Sequence, residues 1–226
     1  MEKKKKKRKL KITRVLFVLL LIYLIIHFFW DSNYLKIKNI YIYDNNYITD
    51  QKVLELAGIE NHPNFYTTTK SSIKRKILMN PYIKNIKVDK KFFNQIHIYV
   101  EEYKWLFYKR NDKKLVLESK EELVMDREIT NAPILTNYVN EDFYNEFIEK
   151  MMLIDSKILN KISEIEYSPN EVDKKRFLLY MNDRNYVYLT LSRFDKINKY
   201  DEILPELEGK RGILYLDLGD YFEILK

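Results

Sequence analysis

Residues 80–102, NPYIKNIKVDKKFFNQIHIYVEE, decide how this chain folds. Asn80-Pro81 ends the helix before it, because proline has no N–H for the helical ladder and crowds the preceding turn. Two apolar runs follow. Ile83, Ile86 and Val88 are the inward set of one strand, and Ile96, Ile98 and Val100 alternate with Gln95, His97 and Tyr99 in the next. A period of two places such residues on one face of a sheet. Lys90 to Asn94 is the hairpin connection between them.

Working toward the N-terminus, Thr69 to Met79 reads as a helix with Ile73 and Ile77 at i, i+4. A loop with Pro63 precedes it. Before that, Thr49 or Asp50 caps a short helix whose Val53, Leu54 and Ala57 share a face, and Gly58 ends it as a C-cap. Asp44-Asn45-Asn46 is a turn, and Leu35 to Tyr43 is strand-like, with Ile40 and Ile42 on one face. The order β-α-α-β-β over 35–102 predicts a two-layer domain, with helices on one side of a small sheet.

Downstream, 103–226 reads as a second domain of mixed α/β character with an open, mostly antiparallel sheet, so the fold class is α+β. Trp105 to Tyr108 and Leu115 to Leu117 form a hairpin, and Leu123 to Met125 a short strand. Ala132 to Thr136 is a rigid apolar segment. Residues 141–160 are expected as one helix, with Phe143, Phe147, Met151 and Ile154 on its apolar face. Strands are expected at Ser163 to Tyr167, Phe177 to Met181 and Tyr186 to Leu191, and a helix over 194–207. Ile213 to Leu218 and Tyr221 to Leu225 close the chain as strands.

Ahead of both domains lies a basic tail, 1–14, joined to an apolar run from Val15 to Trp30. Sixteen residues of helix span about 24 Å, short of the ~30 Å hydrocarbon core. Counting from Leu10 adds enough length if Lys11 and Arg14 lay their stems along the helix. The expectation is an uncleaved transmembrane anchor over 15–30. A secretory signal has a similar start, but Phe28-Phe29-Trp30-Asp31 offers no small-x-small cleavage site. The positive-inside rule keeps the tail in the cytoplasm and puts 31–226 outside the plasma membrane. Trp30, Phe28 and Phe29 then form an aromatic belt at the outer interface.

The net charge of +7 invites a nucleic-acid reading, and its distribution removes that reading. Nine of the 40 basic residues but only one of the 33 acids lie in the tail, which leaves 31 bases against 32 acids outside. There is no cysteine, so no disulfide supports the exported part and thiolate metal sites are excluded. With only four glycines the chain holds no phosphate-binding glycine loop.

The same sequence offers no catalytic constellation. His-Glu-x-x-His and Gly-x-Ser-x-Gly are absent. His62 sits in a loop, and His97 reads as a solvated edge residue. Glu101 and Glu102, as neighbours in a strand, face opposite ways and cannot pair. Asp217 and Asp220 flank Gly219 and read as turn residues. Lys74-Arg75-Lys76 marks a solvated helix face. No cofactor or metal is implied.

Together these residues resemble the FtsQ/DivIB cell-division family. Ile37-x-x-Ile40-x-Ile42 with Asn46, Ile48-Thr49, Gly58-Ile59, Asn80-Pro81-Tyr82-Ile83-x-x-Ile86-x-Val88 and Ile96-x-Ile98-x-Val100-Glu101-Glu102 are similar to a POTRA domain. Ala132-Pro133-Ile134-Leu135-Thr136 resembles that family's Pro-x-Leu-Thr segment. Phe177 to Leu191 followed by Lys196 resembles its strand pair and lysine, and Ile213 to Leu218 its closing strand. Asn137, Leu191-Ser192 and Gly219 depart from the family's usual residues.

The resemblance implies a non-enzymatic scaffold at the division septum, binding FtsB/DivIC-like and FtsL-like proteins through the last strands and other division proteins through the POTRA domain. It also implies a part in regulating septal peptidoglycan synthesis. A final strand with unpaired N–H and C=O groups can accept a partner segment as a further strand. The expected contact residues are Leu214, Tyr215, Leu216, Asp217, Leu218, Tyr221, Phe222 and Ile224, with Tyr215 and Asp217 facing one way and Leu214, Leu216 and Leu218 the other. A charge at Leu216 or Phe222 is expected to abolish binding. Two other classes compete: a membrane-anchored POTRA docking module for protein export or envelope assembly, separated by partner identity, and a cell-wall enzyme, separated by substitution of His62, His97 or Asp217.

Overall fold

The structure, a computed structural model, describes residues 12–30 (side chains through 27), 33–126, 129, 131–207 and 209–225. The chain divides into two compact units, 1–102 and 103–226. Helix α1, Ile12–Trp30, carries exposed apolar side chains along its described length. Among the described residues no helix is long and apolar enough to cross a membrane; the stretch 12–27 covers only about 24 Å. Arg14 is exposed in its first turn. Lys11 and the side chains of Phe28, Phe29 and Trp30 lie outside the described residues.

In the first unit, β1 (Asn39–Tyr43) runs parallel to β3 (Gln95–Glu102), which pairs antiparallel with β2 (Ile83–Lys91). The central strand is therefore β3, and His97 stands on it between Tyr41 and Tyr43 rather than at an edge. Strand β1 is shorter than expected: Asn33–Leu35 winds into a 3-10 turn, and the backbone of 36–38 bonds to Pro63, Asn64 and Asn94. Helices α2 (Asp50–Ala57) and α3 (Lys70–Ile77) cover one face. Thr49 caps α2 by accepting from the Lys52 N–H, and Gly58 ends it at φ +66°, where a Cβ is strained. Ile73, Ile77, Ile83, Ile86, Val88, Ile96, Ile98 and Val100 are all buried in one core. Glu102 accepts the N–H groups of Asn46, Tyr47 and Ile48 at 3.0, 2.7 and 2.9 Å, while Glu101 pairs with Lys84. The two carboxylates thus serve a turn and a surface ion pair.

The second unit is one long sheet flanked by helices. Its strands are β4 (Trp105–Lys109), β5 (Lys114–Leu117), β6 (Glu122–Val124), β7 (Ile134–Leu135), β8 (Ile162–Tyr167), β9 (Arg176–Met181), β10 (Tyr186–Thr190), β11 (Gly212–Tyr215) and β12 (Tyr221–Ile224). They lie in the order β12-β11-β10-β9-β8-β7-β4-β5-β6. Neighbours run antiparallel except at β10–β11, β4–β7 and β7–β8. The mixed, mostly antiparallel sheet is as the sequence predicts. Its core centres on Phe107, Phe147, Phe177 and Phe194, with the rings of Phe147 and Phe177 stacked at 4.7 Å.

The helices of this unit are more broken than their periodicity suggests. The helix expected over 141–160 is two: α4 (Glu141–Met152) and α5 (Ser156–Leu159). Side chains take over the backbone groups freed at the break. Lys104 Nζ donates to the Met152 and Ile154 carbonyls at 3.1 and 2.7 Å, and Asn198 donates to Leu153 O while accepting from Asp155 N–H. The helix expected over 194–207 is a 3-10 stretch Leu191–Lys199, a single turn α6 (Tyr200–Ile203) and a second 3-10 turn Leu204–Leu207. Arg193 kinks the first part (φ −127°) and Pro205 has no N–H for the last.

Candidate functional site

The end of the sheet formed by β9, β10, β11 and β12 has two different faces. Phe177, Leu179, Val187, Leu189, Leu214 and Leu216 enter the core. The other face carries a row across the strands. The Arg176 guanidinium lies 3.4 Å from the centre of the Tyr188 ring, Tyr188 stacks on Tyr215 at 5.3 Å, and Tyr215 stacks on Tyr221 at 4.5 Å. Cross-strand register places these rings opposite one another. The Tyr215 hydroxyl donates to Glu223 at 3.0 Å; burial and that carboxylate push its pKa up to about 12.

Strand β12 is the outer edge. The Leu225 N–H donates inward to Arg211 O at 3.0 Å. Antiparallel alternation then directs the N–H and C=O of Phe222 and Ile224 to the outer side. Tyr221 and Ile224 are 51% and 52% exposed, and Phe222 packs partly against the core. Beneath the edge a groove of about 430 Å³ is lined by Ile203, Leu207, Leu214, Leu216, Phe222 and Ile224. Lys210 and Glu206 stand among its polar residues. Backbone groups at a strand edge beside a groove of mixed apolar and polar lining suit an extended segment that alternates apolar and polar side chains.

Three basic residues hold the connection between β11 and β12. Asp217 is 7% exposed, and its Oδ2 accepts from Arg176 Nε at 2.6 Å. Arg193 reaches the Asp217 carbonyl at 3.4 Å. Lys196 Nζ meets both carboxylate oxygens of Asp220 at 2.6 and 2.8 Å, which holds that carboxyl below its usual range. Gly212 is forced by closeness: a Cβ there would stand 2.0 Å from Glu223 O and 2.5 Å from Phe222 Cζ.

The structure thus sorts the sequence-predicted residues. Tyr215, Tyr221 and Ile224 are accessible, and Phe222 bridges edge and core. Strand β11 ends at Tyr215, yet the Leu216 N–H still donates to Tyr188 O and its side chain joins Leu214 in the core, Asp217 meets Arg176 on the Tyr188–Tyr215 face, and Leu218 lies in the connection to β12. Leu216 is 2% exposed, so a charge there breaks the core and cannot report on a surface. Asp217 lies in the bend that joins β11 to β12, with its carboxylate buried in an ion pair rather than at the surface, whereas Leu218 is exposed. Arg176, Arg193 and Gly212 escaped the sequence reading. Their roles arise from pairings 41, 24 and 11 residues away, which no local pattern carries.

Elsewhere, two of the three histidines have hydrogen-bond partners: His62 Nδ1 with Ile37 O at 2.8 Å, His97 Nδ1 with the Tyr43 hydroxyl at 3.1 Å. Among the described residues no three metal-ligating side chains come together.

Comparison with known proteins places these features. The family model for the POTRA domain, FtsQ-type, matches residues 35–103. Cell division protein DivIB of Bacillus cereus is 31% identical over 193 residues, 82% of this chain and 75% of the relative. DivIB of Bacillus subtilis is 28% identical over 228 residues, covering 97% and 87%. A solved structure, the major extracytoplasmic domain of the trans isomer of DivIB from Geobacillus stearothermophilus, is 25% identical and covers 48% of this chain and 96% of its own, at a TM-score of 0.40.

Proposed function

From the premise that this chain belongs to the DivIB cell-division protein family, we propose that it is a membrane-anchored, non-catalytic scaffold that binds FtsB/DivIC-like and FtsL-like proteins outside the plasma membrane and so helps regulate septal peptidoglycan synthesis. The observation that carries the reading is the outer edge of β12, with its aromatic row and a groove of mixed apolar and polar lining. A partner strand adds there: backbone hydrogen bonds to Phe222 and Ile224 provide affinity, and side chains entering the groove provide selectivity. The POTRA domain, 35–102, is left for other division proteins, and the domain from 103 onward carries the partner edge. The tail and apolar run form the anchor, with Lys11 and Arg14 on the cytoplasmic side and Trp30 at the outer interface. Family membership sets the export-module reading aside.

The test removes one outward N–H and little else. Ile224→Pro leaves the inward-facing bonds of β12 in place, and proline is tolerated on edge strands. Titration of detergent-purified full chain against the extracytoplasmic parts of the organism's DivIC-like and FtsL-like proteins should show binding weakened about tenfold, about 1.4 kcal/mol, with Ile224→Ala closer to wild type. Equal binding by Ile224→Pro and wild type sinks strand addition at β12. A fluorescent fusion to the N-terminus should gather at mid-cell before constriction; an even rim around the envelope from a functional fusion refutes the septal role.

A further inference from the structure

The turn between β2 and β3 breaks the rules of its position. Lys91 pairs with Gln95, so Phe92, Phe93 and Asn94 form the tip. Phe93 and Asn94 both take left-handed backbone conformations, φ +62° and +57°. Glycine, asparagine and aspartate suit that region; a bulky phenylalanine is strained in it. The strain brings no burial in return, since Phe92 is 88% and Phe93 81% exposed. Strain held where the fold gains nothing points to a use outside the fold.

What lies beside the tip is fixed by hydrogen bonds. Asn94 Nδ2 donates to the carbonyls of Tyr34 and Lys36 at 2.7 and 2.9 Å, and the Lys38 N–H donates to Asn94 O at 2.9 Å. The tip is therefore tied to the first residues after the anchor. Trp30 and Tyr34 are four residues apart, at most about 14 Å along a fully extended chain. Tyr34 is itself 80% exposed, and Lys36, Lys38 and Lys91 around the tip are exposed bases. Apolar aromatic rings with flanking lysines match a bilayer interface, whose headgroups are partly anionic.

We propose that Phe92 and Phe93 insert into the outer interface of the same membrane that holds the anchor, so that the POTRA domain is fixed to the lipid surface at two points rather than hanging from a free tether. The inference rests on the anchor proposed above. With two attachments the domain cannot swivel at the lipid surface. The strand β3, eight residues or about 26 Å long, then leads away from the tip toward Glu102.

The absence of native cysteine makes the test clean. Single variants Phe92→Cys and Phe93→Cys carry an environment-sensitive dye in the full chain, reconstituted in vesicles of phosphatidylcholine and phosphatidylglycerol. Asn46→Cys is the control, because Asn46 is bonded to Glu102 at the far end of β3. Flotation with the vesicles is measured first, and unchanged thermal melts show that the variants are folded. The expected result is flotation of all three, with a blue shift and loss of emission on adding quencher-labelled lipid at 92 and 93 but not at 46. Flotation with water-like emission at 92 and 93 overturns the tip insertion and leaves the anchor standing. Failure of wild type to float overturns the anchor and this inference with it.

Discussion

Replacing Asp217 by asparagine should unfold the second unit more easily without altering the partner edge itself. The carboxylate is buried and 2.6 Å from Arg176 Nε, and the guanidinium stacks on Tyr188. At an effective dielectric near 20 the gross attraction over that distance is about 6 kcal/mol. Breaking a buried pair by removing one charge costs about 3–5 kcal/mol, because the other charge stays behind uncompensated. Asparagine keeps an acceptor and Arg176 has some access to water, so the lower end, about 3 kcal/mol, applies. With a urea m-value of about 2 kcal/mol/M the midpoint falls by about 1.5 M. The assay is built into the chain. Trp105 is buried in the second unit, and the other tryptophan, Trp30, is in α1. Urea titration of the full chain followed by tryptophan emission therefore reads the unit that matters. The double variant Arg176→Met/Asp217→Asn should recover most of the loss, since the stranded charge is gone. A midpoint that moves by less than about 0.3 M, together with lost partner binding, would show that Asp217 is a contact residue and that the ion pair contributes nothing to the closing segment.

Three further outcomes follow from single contacts. Gly212→Ala drives a Cβ into the backbone of Glu223, so β11 and β12 must part; the same urea assay should show a loss of about 1–3 kcal/mol, with partner binding weakened alongside. Glu122 accepts from the Tyr144 hydroxyl at 2.7 Å and from Lys114 and Lys109 at 3.1 and 3.3 Å. Burial alone would raise its carboxyl, but these bonds outweigh it and the net shift is downward from 4.5. Its contribution is thus complete above about pH 4.5 and is lost as pH falls through the lower folded value. Glu122→Gln should cost about 1–3 kcal/mol at neutral pH and flatten the acid limb of the stability curve; an acid limb identical to wild type refutes the assignment. Phe93→Asn relieves a left-handed phenylalanine and should slow hydrogen exchange of the β2–β3 amides by an amount equal to about 1 kcal/mol.

The POTRA half was legible because its signals are local. Thr49 and Gly58 flank α2 directly and Asn80-Pro81 follows the end of α3 by three residues, and the two apolar alternations name their own inward faces. The second half was legible as strands but not as a site. Periodicity does not show that Lys104 and Asn198 will supply the hydrogen bonds that let 141–160 break in two. Nor does it show that Arg176, on β9 across β10, will bury the Asp217 carboxylate just past the end of β11. Alternation puts Asp217 on the Tyr215 face but does not show its burial against Arg176. Long-range charge pairing is decided by topology, and topology here includes parallel neighbours that no hairpin rule predicts.

The sheet of the second unit has two edges, and they are treated differently. At one end β6 is three residues long, and its Glu122 is engaged by Lys109, Lys114 and Tyr144. Short length and charge are the usual means of keeping an edge from pairing with another chain. At the other end β12 holds Tyr221, Phe222, Glu223 and Ile224, with no lysine among them, and its one carboxylate accepts from Tyr215. Arg176, Arg193 and Lys196 all act on the 216–220 connection that presents this strand, not on the strand. An edge left apolar, held in place from behind and set over a groove is exposed to aggregation unless a partner covers it. The corollary separates the two ends: a lysine at Ile224 should lower partner affinity and reduce self-association of the unpartnered protein together, whereas a lysine at Val124 on β6, also exposed, should change neither. Light scattering beside the binding titration measures both, and a matching effect at Val124 would refute the assignment of function to the β12 end.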